Sequence, residues 1–371
     1  MSKIQQSRFI EIFMDIIYVY ALMHSSIMLG DLTNGIIGPF AMFSYIFLML
    51  IILAFRTYQI TIDERYGSDS VLRIICKAVS GFLMLCCMGA MNGDWNEDFY
   101  PIVTILGILS LVFIVQYGFE FFVHHKDGHI LPGHMGVMAV CTVFMFVSLM
   151  FPYRFGIICA ALSICIPPTV SSLYKRYQML PFSSVEPVLE RTGRISILMI
   201  GMGIVSLLDY FTAQSFTSAS IPLFIIYLTM IWFYVLEQDG LLDFNKVLKA
   251  PFNLYNFHTL SWIGAALITL VFNYMIHESV SPFFGVIVLY TGLLLYFGGI
   301  LALTIYNKRK MNLSIRMMYI YLGIYALALL FSAIFCSNSM VVMVLTCVMT
   351  FFVTALFTLQ KIVFQSRQPR K

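Results

Sequence analysis

The chain is expected to be an all-α polytopic membrane protein of about twelve helices, and three observations predict this. Only 11% of its 371 residues are charged and 60% are hydrophobic, with a mean hydropathy of +0.89, whereas soluble domains carry roughly a quarter charged residues. Apolar stretches of roughly 20 residues, enough to cross about 30 Å of hydrocarbon at 1.5 Å per residue, recur along the whole chain. The basic residues, finally, segregate to alternate connections.

In chain order the predicted spans are 9–30, 36–55, 70–91, 100–123, 131–151, 154–174, 191–211, 219–237, 256–276, 281–304, 315–336 and 340–364. The connections between them test the count, because cytoplasmic loops keep positive charge while short translocated loops lack it. Of the 22 Lys and Arg residues, all but Arg154 fall on one side. They group as Lys3 and Arg8; Arg56, Arg65, Arg73 and Lys77; Lys126; Lys175, Arg176, Arg191 and Arg194; Lys246 and Lys249; Lys308, Arg309, Lys310 and Arg316; and the C-terminal group from Lys361 to Lys371. Missing or inventing one helix would scramble this alternation. Both termini are therefore expected in the cytoplasm of a bacterial plasma membrane, with an uncleaved first span. The net charge of +4 belongs to the rim facing anionic lipid, and it lacks the concentrated basic face that nucleic-acid binding needs.

Span one carries the most unusual residues. Arg8, Glu11, Asp15 and Tyr18 share one face of an otherwise apolar helix. With entry near Phe9, Asp15 lies about 9 Å deep, where an acidic side chain costs roughly 2.5 to 3.5 kcal/mol at worst. Such a residue demands a partner, either in a structural ion-pair network with Arg8 or a basic residue of span seven, or in an ion or proton site. His24, further along, is expected to be a hydrogen-bonded interior histidine.

Proline inside spans two and six, at Pro39 and Pro167-Pro168, is expected to kink those helices. Glu120 with His124, His125, Asp127, His129 and His134 clusters around one loop, a superficial metal set without fixed spacing. No metal and no cofactor are expected. All eight cysteines, lying in or at the ends of spans, read as small apolar residues.

The longest polar interval, Lys175 to Arg194, separates six spans from six. The expected organisation is a first half at 1–174, a cytoplasmic linker at 175–190 and a second half at 191–371, the plan of many two-half transporters. A weak repeat accompanies it, with Glu11 and Asp31 bounding span one as Glu190 and Asp209 bound span seven. Span seven opens with Glu190, Arg191 and Arg194. Trp232-Phe233-Tyr234 closes span eight as an interfacial aromatic anchor. His258 opens span nine, with Trp262 one turn on, in the place of a cap or interface residue. Gly201, Gly203, Gly298 and Gly299 permit close helix approach. Nucleotide-binding, hydrolase and zinc-protease motifs are absent.

The segment Glu11-Ile12-Phe13-Met14-Asp15-Ile16-Ile17-Tyr18-Val19 resembles the "ELFFDLVFV" signature of the bacterial low temperature requirement protein A family, without a gap. Glu190-Arg191-Thr192-Gly193 followed by Ile197, Ile200 and Gly201 is similar to that family's "ERFGLFTIIVLGE" segment. The stretch from His258 to Gly264 is similar to its "HLPLVLG", and Trp232-Phe233-Tyr234 to its "WWLYF". The resemblance covers residues 8 to about 310. It departs at Met202, where the family has a glutamate, and at Arg194, where it has a leucine. It implies a bacterial multi-pass protein named for growth in the cold, a phenotype that carries no reaction with it.

Three functions follow as expectations. The first is a transporter or permease for an unknown small solute or ion, with Glu11 and Asp15, joined by Tyr18, as a site reached from the cytoplasm. The candidate residues are Arg8, Glu11, Asp15, Tyr18, Glu190, Arg191, Arg194 and His258. The second is a membrane-embedded enzyme acting on lipid or isoprenoid substrates through Glu120, His124, Glu190 and His258. The third is a non-catalytic membrane factor in which the charges only hold helices together.

Overall fold

The computed structural model describes residues 3–30, 32–67, 70–123, 130–173, 186–211, 219–238, 242, 247, 251–277, 279–308 and 314–366. Twelve α-helices run through them: α1 (Lys3–His24), α2 (Pro39–Tyr66), α3 (Val71–Gly89), α4 (Trp95–Val123), α5 (Ile130–Ser148), α6 (Tyr153–Leu173), α7 (Glu186–Val205), α8 (Ser220–Gln238), α9 (Pro251–Ile276), α10 (Pro282–Leu303), α11 (Ile315–Ile334) and α12 (Ser339–Ser366). Apart from two isolated bridges, the described residues contain no strand. Ten helices are long and apolar enough to cross a membrane by length and composition. In hydrocarbon a helix satisfies its backbone internally, which is why an apolar chain settles into this architecture.

Each predicted span meets one helix, and most ends agree within a few residues. The largest departure is at α2, which continues eleven residues past the expected end at 55. Pro39 occupies its first turn, where the missing N–H costs nothing, so the expected kink is absent there. At the other end Gly67 closes α2 with φ of 78°, donating its N–H to the Asp63 carbonyl. Helix α6 likewise continues through Pro167-Pro168 to Leu173.

The chain divides into two compact units, one comprising Met1–Asp31 with Ile37–Ile195, the other Leu32–Ile36 with Ser196–Lys371. The division thus falls inside α7. In the first unit α4 packs on α3, α5 and α6, and α1 lies against α2 and α3. In the second, α9 and α10 form the closest pair, α8 lies along α12, and α11 touches α10 and α12.

Glycine explains the α9–α10 pair. A Cβ on Gly264 would come within 2.5 Å of the Gly292 carbonyl oxygen, and one on Gly299 within 2.6 Å of the Phe257 carbonyl oxygen. Backbones in such contact leave no room for a methyl group. Of the expected packing glycines, Gly203 abuts Thr269 and Tyr227, but Gly201 and Gly298 face open space.

Candidate functional site

A buried charged cluster occupies the end of the first unit where α1, α2 and the start of α7 meet. On α1 the apolar residues Phe9, Phe13, Ile16 and Tyr20 are exposed, while Glu11, Met14, Asp15, Tyr18 and Leu22 are buried. That is the inverse of a soluble amphipathic helix and follows from a hydrocarbon solvent, which welcomes the apolar face and leaves the carboxylates to find partners within the protein.

Asp15, fully buried, is gripped from two sides. Arg56 of α2 donates through Nε at 2.8 Å and through Nη2 to its Oδ1, and Arg194 of α7 donates through Nε to Oδ2 at 3.2 Å. Glu11, one turn earlier, receives Arg191 Nη2 at 2.8 Å on Oε1 and Arg194 Nη2 at 3.4 Å on Oε2. Arg194 therefore bridges both carboxylates, and its Nη1 also donates to Glu190 at 3.1 Å. Arg191 Nη1 donates to the Ile60 carbonyl at 3.2 Å, tying α7 to the C-terminal part of α2. Tyr18 completes the face, with the Arg56 guanidinium 5.7 Å from its ring centroid. The guanidinium suits this place because its planar fork serves several acceptors at once.

The ionic structure continues along α2, α3 and α4. Asp63 pairs with Lys77 at 2.9 Å and accepts from Gln59 Nε2 at 3.1 Å. Arg73 and Glu120 form a two-pronged pair, Nε–Oε1 2.5 Å and Nη2–Oε2 2.6 Å, and Arg73 also donates to the Tyr66 carbonyl. Every residue of these two ion pairs is buried.

The structure thus brings Glu11, Asp15, Tyr18, Glu190, Arg191 and Arg194 together. Of the two sources of countercharge expected for α1, the basic residues of α7 take part; Arg8 lies on α1, with its side chain outside the described residues. His258 belongs to the second unit. It does not cap a helix, because α9 begins at Pro251 and leaves it two turns inside, fully buried, with its ring stacked 5.8 Å from Trp262. Neither of its ring nitrogens has a hydrogen-bond partner among the described residues. His24 stacks on Tyr20 at 5.8 Å.

Four participants have buried partners that the sequence alone does not name. Arg56, Arg73 and Lys77 were expected on a cytoplasmic rim, and Glu120 beside a loop of histidines. All are buried ion-pair partners: Arg56 lies on α2, which runs on to Tyr66 and also brings Asp63 to Lys77 of α3, and Arg73 of α3 meets Glu120 of α4. Their signal was present as polar residues one helical turn apart: Arg56, Gln59 and Asp63; Arg73 and Lys77; Gln116 and Glu120. His124, His125, Asp127, His129, Asp31 and Cys165's side chain lie outside the described residues. Among those described no group of three metal-ligating side chains assembles, and the cysteines are unpaired.

Helices long enough to span, apolar faces turned outward and charges turned inward define a polytopic membrane protein with an internal ion-pair network. A family model described as "Bacterial low temperature requirement A protein (LtrA)" matches residues 6–354. The chain belongs to this family and is a bacterial membrane protein embedded in the lipid bilayer. No curated protein matches it. No solved structure matches it either.

Proposed function

We propose that this protein is a permease-type membrane protein whose solute site is the charged cluster of α1, α2 and α7, and that the solute is a small anion. One observation carries the reading: among the described residues three guanidiniums, Arg56, Arg191 and Arg194, pair with two buried carboxylates, Glu11 and Asp15, while Asp63, the further buried carboxylate that acts on Arg56, is held by Lys77. The remaining positive charge is met by Glu190, whose side chain is 52% exposed while that of Arg194 is 20% exposed. An incoming carboxylate, phosphate or sulfate can take the place of Glu190 on Arg194 and leave the buried pairs intact. A cation would instead have to draw Glu11, Asp15 or Glu190 away from the guanidiniums that hold them.

The test is thermal unfolding of the detergent-purified protein against phosphate, sulfate, acetate, succinate and alkali cations. A ligand at 100 times its Kd stabilises by about 2.7 kcal/mol. Stabilisation by one of the anions, lost in a folded Arg194→Gln protein, is the expected result. Stabilisation by a cation alone would overturn the anion assignment.

A second reading, a non-catalytic membrane factor, is favoured by a specific observation: each carboxylate of the cluster already has a basic partner. Under it, Arg194→Gln lowers stability and no panel member changes the melting temperature. The enzymatic reading gains no such observation, since Glu120 is held by Arg73 and His258 is enclosed by aromatic rings.

A further inference from the structure

The second unit contains a cavity of about 660 Å³ between α10, α11 and α12, a volume in the range of small-molecule sites. Its walls are apolar: Leu294, Phe297 and Leu301 of α10, Met318 and Leu322 of α11, and Met349 of α12. Three polar residues reach it, and each spends its hydroxyl inside the protein. Thr304 Oγ1 donates to the Leu301 carbonyl at 2.6 Å, Tyr321 to Gln360 Oε1 at 3.2 Å and Tyr325 to the Tyr290 carbonyl at 2.8 Å. Nothing on the wall asks for a polar occupant, and apolar space of this size inside hydrocarbon leaves its lining without packing partners.

Length and charge narrow the occupant further. Along α11 the lining runs from Ile315 to Tyr325, ten steps of 1.5 Å or about 15 Å, which is the hydrocarbon depth of one leaflet. Helix α11 buries only Tyr321 and Ser332, so the cavity borders lipid rather than a sealed core. At one end Ile305 and Ile315 line it, and the exposed basic residues Lys308 and Arg316 lie three and one positions away. We propose that this groove holds one acyl chain of an anionic glycerophospholipid, with its phosphate beside Lys308 and Arg316.

The site is independent of the solute cluster, which lies wholly in the first unit. Native mass spectrometry of the full-length protein, purified in detergent with dioleoyl phosphatidylglycerol or dioleoyl phosphatidylcholine, tests it. One phosphatidylglycerol should stay bound per chain, preferred over phosphatidylcholine by roughly tenfold or more, the size expected for two basic side chains near a phosphate. Gly298→Phe fills the groove, because Gly298 lines it and its Cβ position meets open space; it should lower retention at least tenfold. The double variant Lys308→Gln, Arg316→Gln, at exposed positions, should keep a lipid but lose the preference. Equal retention of the two lipids by the wild-type protein overturns the proposal, as does unchanged phosphatidylglycerol binding in a folded Gly298→Phe protein.

Discussion

Asp63 and Lys77 show how a single charged residue behaves in this protein. Both are buried, with no bulk water to share their solvation, so each holds the other's desolvation cost in check. Asp63→Asn leaves Lys77 buried without its countercharge, and it should destabilise the protein by about 3 to 5 kcal/mol in denaturant unfolding in detergent. The joint replacement Asp63→Leu, Lys77→Met removes both charges and should lie within about 1 kcal/mol of wild type, since apolar substitution of a whole buried pair is often neutral or better. Glu190→Gln, at a half-exposed i,i+4 pair with Arg194, should change stability by no more than about 0.5 kcal/mol. Equal effects of Asp63→Asn and Glu190→Gln would mean that burial does not set the energetics of these pairs.

At the scale of elements, helix contact in a membrane depends on how closely backbones approach, because lipid tails are as apolar as leucine and supply no hydrophobic drive. The α9–α10 pair approaches through Gly264, Gly292 and Gly299, where an added methyl would meet backbone atoms that cannot rotate away. Gly264→Ala should therefore lower the melting temperature in detergent sharply, whereas Gly201→Ala, facing open space on α7, should leave it unchanged or slightly raised. A similar loss in both variants would show that helix propensity, rather than close packing, governs these positions. The elements were legible from hydropathy because every span had to offer an apolar face to lipid. The end of α2 was not, since Arg56, Gln59 and Asp63 look like a loop to any hydropathy window although their spacing is helical.

For the molecule as a whole, we propose that both termini face the cytoplasm, the arrangement that an even number of helices among the described residues and the segregation of Lys and Arg together favour. A C-terminal green fluorescent protein fusion should fluoresce in bacterial cells, and a C-terminal alkaline phosphatase fusion should be inactive; the opposite pair of results would require a helix more or fewer. The amino-acid sequence by itself determined the solvent, the fold class, the number of helices and the family, because mean hydropathy, span length and an ungapped motif are local properties of the chain. It also singled out Glu11 and Asp15 as residues in need of partners. Only the tertiary structure decided who those partners are: Arg56, 41 residues from Asp15, and Arg191 and Arg194, about 180 residues from the acids they meet. Charge pairing at such separations follows from how helices pack, and a hydrocarbon solvent constrains which face turns inward without specifying which neighbour it meets.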